Sequence, residues 1–185
     1  MNKRANSGTG AEKILLTGKP GVGKTTVIKK LAEGLKCRTA GFYTAEIRQG
    51  KRRLGFELVS LSTGERLPLA HVDFSSSKRV GKYGVKIENL RPFLDELEEV
   101  LQEETPCCLL IDEIGKMELF SKHFKEITLS AFDSLHPVVA TIMAGSDPFC
   151  NYLKKRPDTQ VWKIDPGNRD RLPARLLDKV IRKET

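Results

Sequence analysis

The segment Gly18-Lys19-Pro20-Gly21-Val22-Gly23-Lys24-Thr25 constrains this chain more than any other. It satisfies the pattern GxxxxGK[ST], follows the apolar run Lys13 to Thr17, and precedes a helical pattern with Val27, Ile28, Leu31 and Leu35 on one face. Strand, glycine loop and helix in this order build a phosphate cradle. Glycines let the backbone turn successive N–H groups inward, and the helix start adds a partial positive charge at the same place. Gly18 through Thr25, with Thr26, are therefore the expected nucleotide-binding residues. Lys24 has the reach to meet β- and γ-phosphates, and the Thr25 hydroxyl is placed to ligate Mg2+.

Such a cradle needs a second acid on the metal side. Leu109-Leu110-Ile111-Asp112-Glu113 is an apolar strand that ends in a carboxylate, which makes Asp112 the second metal candidate. Glu113 follows at the strand exit, where a carboxylate either orients water for in-line attack and takes its proton, or merely caps the next turn or pairs with a basic surface residue. Asp112 and Gly115 spell DxxG, but no NKxD guanine signature occurs, which argues against a dedicated GTPase switch.

The rest of the pattern supplies a fold. Phe42/Thr44/Glu46 and Phe56/Leu58/Ser60 alternate on either side of a Gln49-Gly50 turn, as in a hairpin-rich meander, and residues 71–85 show no period and read as a mobile loop. Ile87, Leu90, Leu94, Leu97 and Leu101 step helically, as do Phe120, Phe124, Ile127 and Ala131. Val138 to Met143 and Gln160 to Ile164 read as further strands, and Leu172, Leu176, Leu177 and Val180 as a terminal helix. Strands alternating with helices predict a three-layer α/β P-loop NTPase fold, a mainly parallel sheet carrying an antiparallel hairpin insertion. Residues 1–12 are expected to be a flexible tail and residues 13–185 one domain, the size that 185 residues allow.

Composition excludes several classes. No apolar run approaches the roughly 18 to 20 residues that cross a bilayer, and the basic start lacks an apolar region behind it, so neither a membrane span nor a secretory signal is expected and a cytoplasmic setting follows. Cys37, Cys107, Cys108 and Cys150 show no CxxC spacing and read as reduced structural thiols, while His71, His123 and His136 show no transition-metal motif. The net charge of +8 is concentrated at residues 154–185, with ten Lys and Arg against five Asp and Glu. Nucleic acid is possible but not favoured there, because few aromatics are interleaved and phosphate-rich small substrates account for a positive field equally well.

In order along the chain, GKPGVGKTT, GFYTAEIRQGKRRLGFEL, VGKYGV, LLIDEIGKMELFS and NRDRLP resemble the small P-loop nucleoside-triphosphatase family that includes the cancer-related nucleoside-triphosphatase, over roughly residues 13 to 182. GSDPFCNYLKKRPDT is the segment least like it. The resemblance implies Mg2+-dependent hydrolysis of ATP, GTP and other nucleoside triphosphates to diphosphates, with low base selectivity. Within its hairpin motif, Arg48 is either a charge-neutralising arginine at the triphosphate or a solvated tip residue. Asn168 and Arg169 either line the base pocket, with Arg169 stacking on the base, or serve as helix cap and surface residue. Lys116 and Glu118 read as a salt-linked support of the Asp112 loop or as helix-start polarity. The alternatives to a hydrolase are a nucleoside or small-alcohol kinase closed by Arg169, Arg171 and Arg175, and an RNA-associated regulatory module. Oligomeric state is not encoded legibly.

Overall fold

A computed structural model describes residues 11–181. In chain order the elements are β1 (Lys13–Thr17), α1 (Lys24–Gly34), β2 (Thr39–Gln49), β3 (Arg52–Ser60), β4 (Arg66–His71), β5 (Arg79–Val80), β6 (Tyr83–Val85), α2 (Arg91–Leu101), β7 (Cys108–Ile114), α3 (Lys122–Asp133), β8 (Val138–Ile142), α4 (Pro148–Lys155), β9 (Thr159–Lys163) and α5 (Leu172–Ile181). Short 3-10 turns at Ile87–Leu90 and Glu118–Phe120 lead into α2 and α3.

The described strands form one sheet of order β5-β6-β4-β3-β2-β7-β8-β1-β9. Strands β2, β7, β8, β1 and β9 run parallel, and β3, β4, β6 and β5 extend the sheet as an antiparallel wing. The wing is larger than the expected hairpin, because part of the predicted mobile loop is ordered. Residues 79–80 and 83–85 are strands, and Ala70 pairs with Val85 and His71 with Gly84. Tyr83 and Val85 are buried, so apolar anchoring outweighs the glycines and serines that suggested a loop.

Alternation along the central strands produces three layers. On β1, Leu15 faces one core while Ile14 and Leu16 face the other; on β7, Leu109 and Ile111 oppose Cys108 and Leu110. One face is covered by α2, α3 and α4 through Phe93, Leu97, Phe124, Phe132 and Leu153. The opposite face is covered by α1 and α5 through Val27, Ile28, Leu31, Leu172, Leu176 and Val180. Gly41 lets β2 lie against β7: its φ is +116°, and a Cβ there would overlap the Leu110 carbonyl oxygen.

Residues 1–10 of the expected tail lie outside the described residues. Glu12 is already buried, accepts a hydrogen bond from Gln160 Nε2 at 2.7 Å and pairs with Lys179 at 3.5 Å. Lys13 is buried too, and its ammonium donates to the carbonyls of Ala131, Ser134 and His136 at 2.8, 3.0 and 2.6 Å, closing the end of α3. The segment with no assigned role, 145–159, contains α4, whose start is fixed by Asp147 Oδ1 accepting from the N–H groups of Phe149 and Cys150 and by Pro148 in the first turn.

Candidate active site

The carboxyl ends of the parallel strands converge on one crevice, the usual ligand position of an open α/β sheet. β1 delivers the glycine loop, β7 delivers Asp112 and Glu113, and β8 delivers Thr141. Between loop and carboxylates lies a cavity of about 530 Å³ lined by Pro20, Gly21, Gly23, Lys24, Thr25, Thr26, Asp112 and Glu113, with further walls from the antiparallel wing and the Gly115–Glu118 turn. Gly18, Lys19 and Val22 do not line the cavity: Gly18 is buried against Ile164, and Val22 N–H donates to the Lys19 carbonyl at 3.2 Å.

The loop is built to receive an anion. Gly23, the residue that caps α1, has φ +107°, a conformation in which any other residue is strained. No side chain caps α1 and its first turn contains no acid, so its leading N–H groups lack a side-chain acceptor, and Lys24, Thr25 and Thr26 of that turn line the cavity. Lys24 Nζ lies 3.6 Å from Glu113 Oε1 and donates to the Gly18 carbonyl at 3.4 Å.

Asp112 is the best-anchored acid of the site, at 1% exposure. Its Oδ2 accepts from the Thr25 hydroxyl at 2.6 Å and from Thr44 N–H at 3.5 Å, its Oδ1 accepts from the Thr141 hydroxyl, and its carbonyl accepts from the Thr44 hydroxyl at 2.6 Å. Burial pushes its pKa up, while these donors and the Lys24 charge pull it back. The adjoining Thr25 hydroxyl and Asp112 carboxylate form a hard oxygen pair of the kind Mg2+ takes. Glu113 is half-buried; burial raises its pKa, the Asp112 charge adds to the rise and Lys24 opposes it. Glu118 is buried in the cavity wall, and desolvation pushes its carboxyl up to about 8, reinforced by the charges of Glu113 and Asp112. Among the described residues it forms no salt bridge with Lys116, which is exposed at the cavity edge, so a salt link between the two is not the basis of any support.

Several expected residues lie elsewhere. Arg48 does not line the cavity: it is 48% exposed, bonded to Glu46 Oε2 at 2.7 Å and to the Lys51 carbonyl at 3.0 Å. Asn168 is used within its own turn, where Oδ1 accepts from Asp165 N–H and Nδ2 donates to the Lys163 carbonyl. Arg169 does adjoin the loop: Nη1 donates to the Val22 carbonyl at 3.3 Å, and the residue lines a cavity of about 270 Å³ with Gly23, Thr26, Lys30 and Asp170. Arg171 is bonded to the Gly167 carbonyl, and the Arg175 guanidinium sits 5.0 Å from the Trp162 ring centroid, so two of the three suggested lid arginines are held against the fold.

Other cavity residues came without a sequence signal strong enough to assign them a site role: Thr44, Glu46, Arg53, Phe56 and Val80 from the wing, and Met117. The GFYT motif places Thr44 two residues after Phe42, but only the β2–β7 pairing reveals that it meets Asp112. Asp95, Glu98 and His123 bring ligand atoms within 4.8 Å of one another at the surface between α2 and α3. Cys107, Cys108 and Cys150 are buried and form no disulfide among the described residues, and burial pushes Cys107 and Cys150 up to about 11. Among the described residues no helix is long and apolar enough to cross a membrane.

A strand, an anion-binding loop, a helix and facing carboxylates at the carboxyl edge of a three-layer α/β sheet define the P-loop NTPase class. Residues 13–177 match the family model described as NTPase. The nucleoside-triphosphatase THEP1 of Natranaerobius thermophilus is 56% identical over 90% of this chain and 95% of its own length, and that of Thermotoga maritima is 45% identical over 89% and 93%. The crystal structure of THEP1 from Aquifex aeolicus superposes with a TM-score of 0.83 at 35% identity, covering 92% of this chain and 99% of that one. The solution structure of a human cancer-related nucleoside triphosphatase gives 0.80 at 35% identity, covering 93% and 98%. The chain thus belongs to the NTPase family, as its motifs suggested.

Proposed function

We propose that residues 13–185 act as one catalytic domain that hydrolyses nucleoside 5′-triphosphates to diphosphate and phosphate, with Mg2+ and little preference among bases. The observation that carries this reading is the single cavity in which the uncapped start of α1, Lys24, the Thr25–Asp112 oxygen pair and Glu113 come together. The names of the relatives, nucleoside-triphosphatases, support it.

Loop amides and Lys24 hold the polyphosphate, and Lys24 moves from its contact with Glu113 to the β- and γ-oxygens. Thr25 and Asp112 would hold Mg2+, which when bound would supply charge neutralisation to the polyphosphate. Glu113, released from Lys24, orients water in line with the terminal phosphorus and accepts its proton as the new P–O bond forms. The bond to the β-phosphate oxygen breaks, and the electron pair leaves with the diphosphate. Arg169 presents a planar cation beside the loop, a surface on which any base can stack, which accounts for low selectivity. Cys107, Cys108 and Cys150, buried and not joined in disulfides, support a reducing, cytoplasmic setting.

Phosphate release from ATP, GTP, CTP and UTP tests the reading, each with Mg2+ and with excess EDTA. Rates within about tenfold of one another, abolished by EDTA, are expected. Release from one base alone, or release undiminished by EDTA, contradicts the corresponding part of the proposal.

A further inference from the structure

Three cations line the main cavity: Lys24, Lys116 and Arg53. Lys24 belongs to the loop and Lys116 lies at the exposed edge, whereas Arg53 comes from the antiparallel wing, together with its neighbours Glu46 and Phe56. Sequence spacing does not single it out among Lys51, Arg52 and Arg53 at the hairpin tip. The ladder between β2 and β3 slips at Ile47/Arg48, so that Glu46 faces Phe56 while Arg48 faces Arg53. A bulge of this kind re-aims side chains. Here one arginine is tied at the rim, bonded to the Lys51 carbonyl, and the other reaches the cavity.

The Arg53 guanidinium is held on two edges. Nε donates to the Tyr83 hydroxyl at 3.1 Å and Nη1 donates to Glu46 Oε1 at 2.7 Å, while the plane lies 4.9 Å from the Phe56 ring centroid and 5.9 Å from that of Tyr83. Phe56 and Tyr83 in turn meet edge to face at 5.3 Å. Among the described residues nothing hydrogen-bonds Nη2. A planar fork locked by two partners, stacked on an aromatic pair and left with one free donor edge beside a phosphate cradle, is pre-organised for an oxyanion; its ordering cost is met before the ligand arrives.

We propose that Arg53 contacts the terminal phosphate of the bound nucleotide and neutralises the charge that develops on it during cleavage, an inference that rests on the hydrolytic reading above. Glu46 and Tyr83 are its positioning residues: they aim the fork and leave Nη2 to the substrate. The antiparallel wing thereby supplies a cation that the parallel core lacks at this wall of the cavity.

The test compares wild type with Arg53→Ala in steady-state hydrolysis of ATP with Mg2+, alongside calorimetry with a non-hydrolysable triphosphate and thermal melting. The variant is expected to lose kcat by about 10²-fold or more, with KM and analogue affinity changed far less, since a cation that acts on developing charge serves mainly the transition state. Added guanidinium ion is expected to restore about tenfold of the lost rate in Arg53→Ala and nothing in wild type, an effect that a merely structural tie between Glu46 and Tyr83 does not produce. Should Arg53→Ala melt below the assay temperature, Arg53→Gln, which keeps the stem over Phe56, is judged by the same two readouts. A folded variant with kcat within about twofold of wild type, or a loss that guanidinium leaves untouched, overturns the assignment while leaving the hydrolase intact. A wild-type protein that releases no phosphate overturns both.

Discussion

Thr25 on α1 and Asp112 on β7 are 87 residues apart in sequence and directly bonded in the fold, hydroxyl to carboxylate at 2.6 Å. The contact joins the phosphate loop to the neighbouring parallel strands, because Asp112 is held at the same time by Thr44 on β2 and Thr141 on β8. Every donor in this cluster favours the ionised acid and opposes the desolvation that burial imposes. Burial still outweighs these donors and leaves the pKa raised, so a cation bound beside the carboxyl would favour its charged form.

Asp112→Asn removes the charge while retaining the shape. Its phosphate release is expected to fall by about 10²-fold or more, and the Mg2+ concentration for half-maximal rate to rise. An Mg2+ titration of the variant checks this; a wild-type titration curve contradicts the metal assignment of Asp112.

Glu113→Gln keeps the size of the side chain but cannot accept a proton. It is expected to bind triphosphate about as tightly as wild type and to turn over more slowly by a factor on the order of 10² to 10⁴. Calorimetry with a non-hydrolysable analogue and a phosphate assay separate the two effects, and unchanged turnover removes Glu113 from the role of base.

Glu118 makes stability depend on pH. In the unfolded chain its carboxyl ionises near 4.5, whereas in the fold desolvation, helped by Glu113 and Asp112 and opposed by the backbone N–H groups of Gly115 and Glu118, keeps it protonated up to about 8. Because the folded carboxyl has the raised pKa, its contribution is complete below pH 4.5 and is lost as pH rises towards and through 8. Glu118→Gln does not titrate, so relative to wild type it should gain about 4 kcal/mol between pH 4.5 and pH 8.5. Urea unfolding of both proteins at the two pH values measures this, and a constant difference contradicts it.

Gly41→Ala tests the fold beneath the site. The left-handed φ and the Leu110 carbonyl leave no room for a Cβ, so a loss of about 3 kcal/mol or more is expected in urea unfolding. A loss under about 0.5 kcal/mol places the β2–β7 contact differently.

The phosphate loop and the Asp112-Glu113 strand end were legible because each is a local pattern with its chemistry in consecutive residues. The three layers followed from the alternation of strand and helix periods. What escaped depends on pairing across the sheet. Alternation in the hairpin suggested strands, but the slip at Ile47/Arg48 decides which arginine faces the cavity, and no run of Lys51, Arg52 and Arg53 encodes that slip. Residues 71–85 resembled a loop because their strands are only two and three residues long, too short for a period, and are held by burial of Tyr83 and Val85. The motif leaves Asn168 open between a base pocket and a cap, and only the fold reveals the Asx-type bonding to Asp165 and Lys163 that engages its side chain.

In the proposed hydrolysis, the cavity between the glycine loop and Asp112-Glu113 directs water at the terminal phosphorus of a bound triphosphate. Hydrolysis of ATP in 18O-enriched water, with Mg2+ and purified protein, tests it most directly. One solvent oxygen is expected in each released inorganic phosphate and none in the diphosphate; label in the diphosphate, or no labelled phosphate at all, contradicts this direction of attack.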